Sequence, residues 1–279
     1  MLSEDGASRM RSSTAVEASL AKPQPNRTCW QSNDVNKTFL TLDFRCAVYL
    51  CSKFRVGFAP KKPMSNQPPR NLTIATTGAS GAIFLRHFLI AVEADARIET
   101  VNFIASDSAL RVLAEELGLR GRSNLVGQIL GTSPIPSGRK LSAKPASQAS
   151  RKISIQSNAD IGANVASGSY PADAMVVIPC SVGTLGRIAH GDASCLIERA
   201  ADVSLKERRP LVLCVRETPL NKIHIRNMYR AADAGATIFP LIPAFYYHPA
   251  SLDELAREFA YRVLAHLGLF QSNAFRWKA

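Results

Sequence analysis

Two short stretches of small and hydroxyl-bearing residues are the first chemical suggestion in this chain: Thr77-Gly78-Ala79-Ser80-Gly81-Ala82 and Ser181-Val182-Gly183-Thr184. Each follows an apolar run and opens an amphipathic one, the place where a strand hands over to a helix. The first N–H groups of a helix lack partners within it and carry the positive end of its dipole, and residues without bulky side chains let an anion approach them. Such turns suit a phosphate or the polar edge of a flavin. A ligand-free strand-to-helix turn has the same composition, so one alone decides nothing, whereas two in one sheet are harder to dismiss. The first is not the G-x-G-x-x-G dinucleotide pattern, and Asp107, in Ser106-Asp107 after the next apolar run, leaves NAD binding open but unsupported.

Arg216-Glu217-Thr218-Pro219 sets a cation beside a carboxylate after another apolar run, although for an isolated R-E-x-P a surface ion pair before a Pro-started helix is the better explanation. Glu198, Arg199, Asp202 and Lys206 share one helical stretch, with Arg199 and Asp202 three apart and Asp202 and Lys206 four apart, as on a salt-bridged exposed face. Tyr246-Tyr247-His248 reads as a loop, and Arg262 as a solvated cation on the last helix. Cys180 and Cys214 close apolar runs and read as small buried hydrophobes; because a helix start follows Cys180, a nucleophilic thiol there is the alternative.

The elements that must position these residues alternate. Strands are expected at 72–76, 101–105, 174–178, 211–215 and 237–239, and helices at 83–93, 108–117, 182–190, 194–206, 221–234 and 252–267. Residues 120–160, rich in Ser, Gly, Pro, Lys and Arg, read as a long loop with one short helix near 125–130. The third strand is expected to break at Pro179-Cys180-Ser181. Such alternation implies a single-domain α/β fold, Rossmann-like and doubly wound, its mostly parallel sheet covered by helices on both faces. Ligands then bind beyond the carboxyl ends of the strands, where both small-residue turns fall.

With 279 residues, 46% of them apolar, the chain has material for a substantial core. Its formal charge of +12 invites a nucleic-acid reading, but residues 1–70 hold eleven basic against five acidic residues and so carry half of the excess. The remainder is spread without aromatic interleaving; neither nucleic acid nor membrane is expected as a partner, and no apolar run reaches the ~18 residues that span a bilayer. Six cysteines without paired metal spacing or disulfide-scaffold density fit a reducing compartment, read here as cytoplasmic, and no metal site is expected. Residues 1–70, with no secretory apolar region, read as a poorly structured extension or as upstream sequence translated ahead of Met64; the folded domain is assigned to 71–269 and a tail to 270–279.

Taken together the segments TGASGA at 77–82, ASGSYPADAMVVIPCSVGTLGRIAHG at 166–191, LIERAADVSLKERRPLVL at 196–213, RETP at 216–219, HIRNM at 224–228 and PAFYYHP at 243–249 resemble the UbiX-like flavin prenyltransferases, of the homo-oligomeric flavin-containing Cys decarboxylase fold. The resemblance covers essentially all of 71–269 in unbroken order. It implies an enzyme that joins a dimethylallyl group from dimethylallyl phosphate to reduced FMN, without a metal, closing a fourth ring and supplying a partner decarboxylase that depends on prenylated FMN. It implies a dodecamer with sites at subunit interfaces, and a place in ubiquinone biosynthesis or aromatic-acid decarboxylation. Carried over residue by residue, Gly78, Ala79, Ser80, Ser106, Ser181, Val182, Gly183, Thr184 and Arg216 would bind FMN, with Ser80 near the reacting nitrogen. Tyr246 and Arg262 would hold the donor phosphate with Arg199, Lys206 and Glu217 around it; Glu217 would protonate the leaving phosphate and later act as a base, and Glu116 matches a carboxylate near the flavin. One departure is the lack, around 161–164, of an aromatic residue that some members carry.

Two rivals remain. A flavin-dependent cysteine-type decarboxylase of the same fold would need a histidine before the third strand and a P-x-M-N-x-x-M segment, where this chain reads Ala166-Ser167-Gly168-Ser169 and Arg216-Glu217-Thr218-Pro219. A non-catalytic FMN carrier would have no use for a second phosphate site.

Overall fold

The computed structural model describes residues 67–131, 150 and 152–277; the expectations for residues 1–66, 132–149, 151 and 278–279 lie outside the described residues. Six strands, β1 (Asn71–Thr76), β2 (Thr100–Ala105), β3 (Ile153–Ser157), β4 (Ala174–Cys180), β5 (Leu211–Val215) and β6 (Thr237–Ile238), form one sheet in the order β3-β2-β1-β4-β5-β6. Every pairing in it is parallel. Seven α-helices connect them among the described residues: α1 (Ala82–Ala94), α2 (Asp107–Leu117), α3 (Leu125–Gly131), α4 (Val182–His190), α5 (Leu196–Lys206), α6 (Lys222–Asp233) and α7 (Leu252–His266).

Strand periodicity divides the core in two. Leu72, Ile74, Phe103, Val176, Ile178, Val212 and Cys214 point to one face, where Leu85, Phe88 and Leu89 of α1 and Phe259, Ala260 and Val263 of α7 cover them. Ala75, Ile104, Met175, Val177, Leu211 and Leu213 point to the other, under Leu185 and Ile188 of α4 and Leu196, Ile197 and Ala200 of α5. A strand covered on both sides must be apolar throughout, as the uninterrupted burial of β4 illustrates. Each large side chain sealed in this way, Phe88 or Leu85 for instance, contributes about 1.5–3 kcal/mol.

Two expectations need correction. The stretch expected to be loop contains β3, whose pattern of apolar residues alternating with Ser and Gln belongs to an edge strand; Ile155 is 48% exposed. And β4 does not break at Pro179, because Pro179 accepts from Thr77 through its carbonyl and the strand continues to Cys180. The helix ends follow the side chains: Ser106 and Ser181 accept from Ala109 and Thr184 N–H at the starts of α2 and α4, and Gly118 and Gly191 close those helices at φ 67° and 72°.

Candidate functional site

The strand order reverses between β1 and β4, and in open α/β sheets the crevice beyond the carboxyl ends at such a point takes the ligand. Backbone bonds carry the pairing past the strand ends: Ser106 N donates to Thr76 O at 3.1 Å, Thr77 N to Pro179 O at 3.2 Å and Arg216 N to Cys180 O at 3.0 Å. Gly78, Ala79, Ser80, Ser106, Ser181, Val182, Gly183, Thr184, Arg216 and Glu217 therefore stand along one edge of the sheet.

Thr77 joins the two small-residue turns. Its side chain is buried, its hydroxyl donates to Pro179 O at 3.0 Å, and the same oxygen accepts from Ser181 N at 2.8 Å. Gly78 is required by contact: a Cβ there would lie 2.5 Å from Ser108 Oγ and 2.6 Å from Ser108 Cβ, so bare backbone lets the β1 turn rest on the first turn of α2.

The two turns differ electrostatically. At the start of α1, Gly81 N and Ala82 N donate to the Glu116 carboxylate at 2.9 and 2.7 Å, so this helix end already holds an anion from its own chain. At the start of α4 the acceptor is the neutral Ser181 hydroxyl, and no carboxylate among the described residues reaches the N–H groups of Val182 or Gly183. Arg187 lies one turn further on, paired with the buried carboxylate of Glu198 and 3.5 Å from Thr184 Oγ1. The α4 start therefore fits a phosphate, whereas Gly78, Ala79 and Ser80 fit the neutral polar edge of a ring system. These groups suit FMN, whose one end is a phosphate and whose other is a flat ring rimmed with donors and acceptors.

The other expected site residues belong to α5, α7 and the loop after β6. Tyr246 and Arg262 line a cavity of about 760 Å³ between the loop after β6 and the end of the chain, and Ser80, Arg216 and Glu217 are not among its walls. Its walls are aromatic: Phe275 and Trp277 stand 5.4 and 5.3 Å from the Tyr246 ring, centroid to centroid. Arg199 donates to Ala166 O at 3.2 Å and to Asp202 at 2.8 Å, as the helical spacing suggests, but Lys206 pairs with its neighbour Glu207 instead of Asp202. Lys206 ends α5 just before the start of β5, while Arg216 follows its end; five strand residues at about 3.3 Å each separate those edges by roughly 17 Å.

Asp107, exposed and paired with Arg122, stands in the first turn of α2. Cys180 is fully buried, and burial pushes its thiol up to about 12, which leaves no thiolate for a nucleophile at neutral pH. Sequence reasoning placed Thr77 in the first turn but missed its link to the second, and it missed the pair Phe275 and Trp277. For the latter, the aromatic-cation-aromatic run Phe275-Arg276-Trp277 is the signal that could have found them.

The flavoprotein family model matches residues 60–253. The chain is 38% identical over 211 residues to the flavin prenyltransferase UbiX of Pseudomonas aeruginosa, covering 75% of this chain and 94% of that protein. It is 35% identical over 219 residues to that of Alkalihalophilus pseudofirmus, covering 77% and 99%. Among solved structures it resembles AnUbiX (PadA1), determined in complex with FMN and dimethylallyl pyrophosphate, at 35% identity and TM-score 0.63 over 75% of this chain and 98% of that one. A dodecameric FMN-dependent UbiX-like decarboxylase from Escherichia coli O157:H7 has the same TM-score at 32% identity, over 75% and 100%. Order of strands, turns at the switch point and similarity over nearly the whole length of these relatives agree, and the chain belongs to the flavoprotein family, among the UbiX flavin prenyltransferases.

Proposed function

We propose that this protein transfers a dimethylallyl group from dimethylallyl phosphate to FMN, forming prenylated FMN for a partner decarboxylase. The observation that carries this reading is the presence of two anion-suited places: the α4 start at the β1/β4 edge, and the aromatic cavity holding Arg262 and Tyr246. A carrier of flavin alone would need only the first.

Reduced FMN supplies the nucleophile. The chain supplies the rest: residues 181–184 hold the phosphate end, Gly78, Ala79, Ser106 and Arg216 line the ring, and the Ser80 hydroxyl faces its reacting edge. Glu116 keeps the α1 start, and with it the Ser80 turn, in place through its bonds to Gly81 and Ala82. Arg262 and Tyr246 bind the donor phosphate. Glu217, exposed beside Arg216, protonates that phosphate as its bond to carbon breaks and later takes a proton back. Basic side chains around a departing phosphate stabilise the charge that develops on it.

Lys206 contributes from another copy of the chain, since it ends α5 toward the opposite edge of its own sheet, while Arg199, in the first turn of that helix, is assigned to the same phosphate. A homo-oligomer is then a condition of activity, and the dodecamer of the Escherichia coli relative is the assembly we expect.

The test is incubation of purified full-length protein with reduced FMN and dimethylallyl phosphate, followed by mass spectrometry of the released flavin. A gain of one C5H8 unit with release of inorganic phosphate supports the reading; FMN that binds but never changes mass overturns it in favour of a carrier. Glu217→Gln is expected to bind FMN normally and to slow product formation, and unchanged turnover would remove Glu217 from its role.

A further inference from the structure

The last residues of the chain turn back along α7 and form much of the cavity that holds Tyr246 and Arg262. What fixes them there comes from far away in sequence. Asp95, at the end of α1, is 8% exposed and uses both oxygens: Oδ1 accepts from Arg97 N at 3.0 Å and Nε at 2.9 Å, and Oδ2 accepts from Arg97 Nη2 at 2.7 Å and from Gln271 Nε2 at 2.9 Å. The same Arg97 Nη2 donates to Phe270 O at 2.9 Å. Arg97 is thus locked at its own end by a two-pronged carboxylate contact, the geometry that makes guanidinium pairs directional, and turns another of its N–H groups to the chain end. Further along, Asn273 donates to Tyr261 OH at 3.2 Å and Phe275 N to Glu258 Oε2 at 2.9 Å, both partners on α7. The path leads from this anchor to the rings of Phe275 and Trp277 against Tyr246.

We propose that Asp95 and Arg97 are positioning residues of the donor pocket: they clamp Phe270 and Gln271, and so set where Phe275 and Trp277 stand over Tyr246 and Arg262. The inference rests on the reading of that cavity as the donor site. Neither residue is among those lining the cavity; both act through residues 270 and 271, and the ordering of the aromatic side chains beyond them has to be held against conformational entropy. Asp95 belongs to the connection between α1 and β2, whereas the flavin-type turns rest on Thr77, Glu116 and Ser181, so the clamp serves one place and not the other.

The test uses the full chain as Asp95→Ala, with Gln271→Ala as a second variant that leaves the Asp95 and Arg97 pair and the Arg97 bond to Phe270 O intact and removes the Gln271 bonds to Asp95 and Leu269 O. Three quantities are read: hydrogen exchange of residues 269–277, the dissociation constant for FMN, and KM and kcat for dimethylallyl phosphate. Loss of charge-assisted bonds at the anchor is expected to speed exchange of the chain end by about tenfold or more and to raise KM by about five- to twentyfold, with kcat within about threefold of wild type. The FMN constant stays unchanged. Fluorescence adds a local reporter, because the chain has two tryptophans and a Trp30→Phe background leaves Trp277 alone. In that background dimethylallyl phosphate is expected to alter Trp277 emission less in Gln271→Ala than in its parent. Chain-end exchange equal to wild type in both variants overturns the clamp. Faster exchange with unaltered donor KM overturns its role in the pocket. A wild-type protein that never consumes the donor sinks the prenyl-transfer reading instead, while the exchange measurement still tests the anchor.

Discussion

Thr77→Val removes one oxygen and nearly nothing else, and it tests whether the two turns of the flavin site are mechanically one unit. Thr77 is 2% exposed, so no solvent replaces the lost hydroxyl freely. Pro179 O keeps a donor, since Thr77 N reaches it at 3.2 Å; the Ser181 N–H, which donated to Thr77 Oγ1 at 2.8 Å, is left with no partner. An orphaned N–H of this kind costs about 1–3 kcal/mol, so a net loss of about 2 kcal/mol is expected. Thr77→Ser is the control: it keeps the oxygen and deletes one buried methyl, for about 1 kcal/mol. Ser181 also caps α4, and if its displacement passes about 1.4 kcal/mol to the ligand, FMN binds about tenfold more weakly in Thr77→Val. Urea unfolding of the FMN-free proteins, compared through midpoints at equal slope, gives the first quantity, and quenching of flavin fluorescence gives the second. If Thr77→Val is as stable as Thr77→Ser, the hydroxyl is not a staple. If it is less stable yet binds FMN as tightly as wild type, the staple exists and the site does not depend on it.

Glu116→Ala uncovers the N–H groups of Gly81 and Ala82 and is expected to cost about 2–3 kcal/mol, with Glu116→Gln, which keeps an acceptor oxygen, costing about half of that; thermal or urea unfolding checks the order, and equal stability of the three proteins would end the role given to this carboxylate. Asp95 is held at about 2 against an ordinary 3.8, chiefly by the hydrogen bonds from Arg97. A depressed carboxylate stabilises the fold above its unfolded value and loses that contribution as pH falls through its folded value, so the gap in unfolding free energy between wild type and Asp95→Asn, no more than about 2 kcal/mol, is expected to hold above about pH 4 and to close toward pH 2. A gap that widens on acidification would contradict the assignment. Because Ser80 and Lys206 belong to opposite edges of one sheet, Ser80→Ala and Lys206→Ala are each expected to be poor catalysts, while assemblies refolded from both together regain part of the activity through interfaces with Ser80 from one copy and Lys206 from another. Mixtures no more active than their separate parts would place the complete site within one chain.

The fold was legible wherever burial on both faces forced a continuous apolar run: β4 and β5 are sealed by helices on either side, and their residues carry no other duty. It was illegible at β3, because an edge strand is covered on one side only and Ile153-Ser154-Ile155-Gln156-Ser157 has the polarity of the loop around it. The turns at 77–82 and 181–184 could be read because small residues and hydroxyls at a helix start have a local cause. What separates those turns does not: the Glu116 carboxylate that occupies one of them comes from the end of α2, 35 residues away.

The same limit governs the site as a whole. Sequence order reports that Arg216 and Glu217 follow a strand and that Lys206 precedes one, and parallel strands make this a statement about opposite edges of the sheet. The residues proposed around one phosphate thus come from three places, the β1/β4 crevice, the aromatic cavity and the end of α5, the last of which lies a strand's length from the first. Such a distribution makes quaternary structure part of the chemistry. On the proposed function, one copy holds the flavin through Ser181 and the α4 start, and Lys206 of another copy adds to the charge that meets the departing phosphate. Binding and turnover should therefore have different dependences on assembly, which is why the separation of FMN affinity from donor KM recurs as the informative measurement.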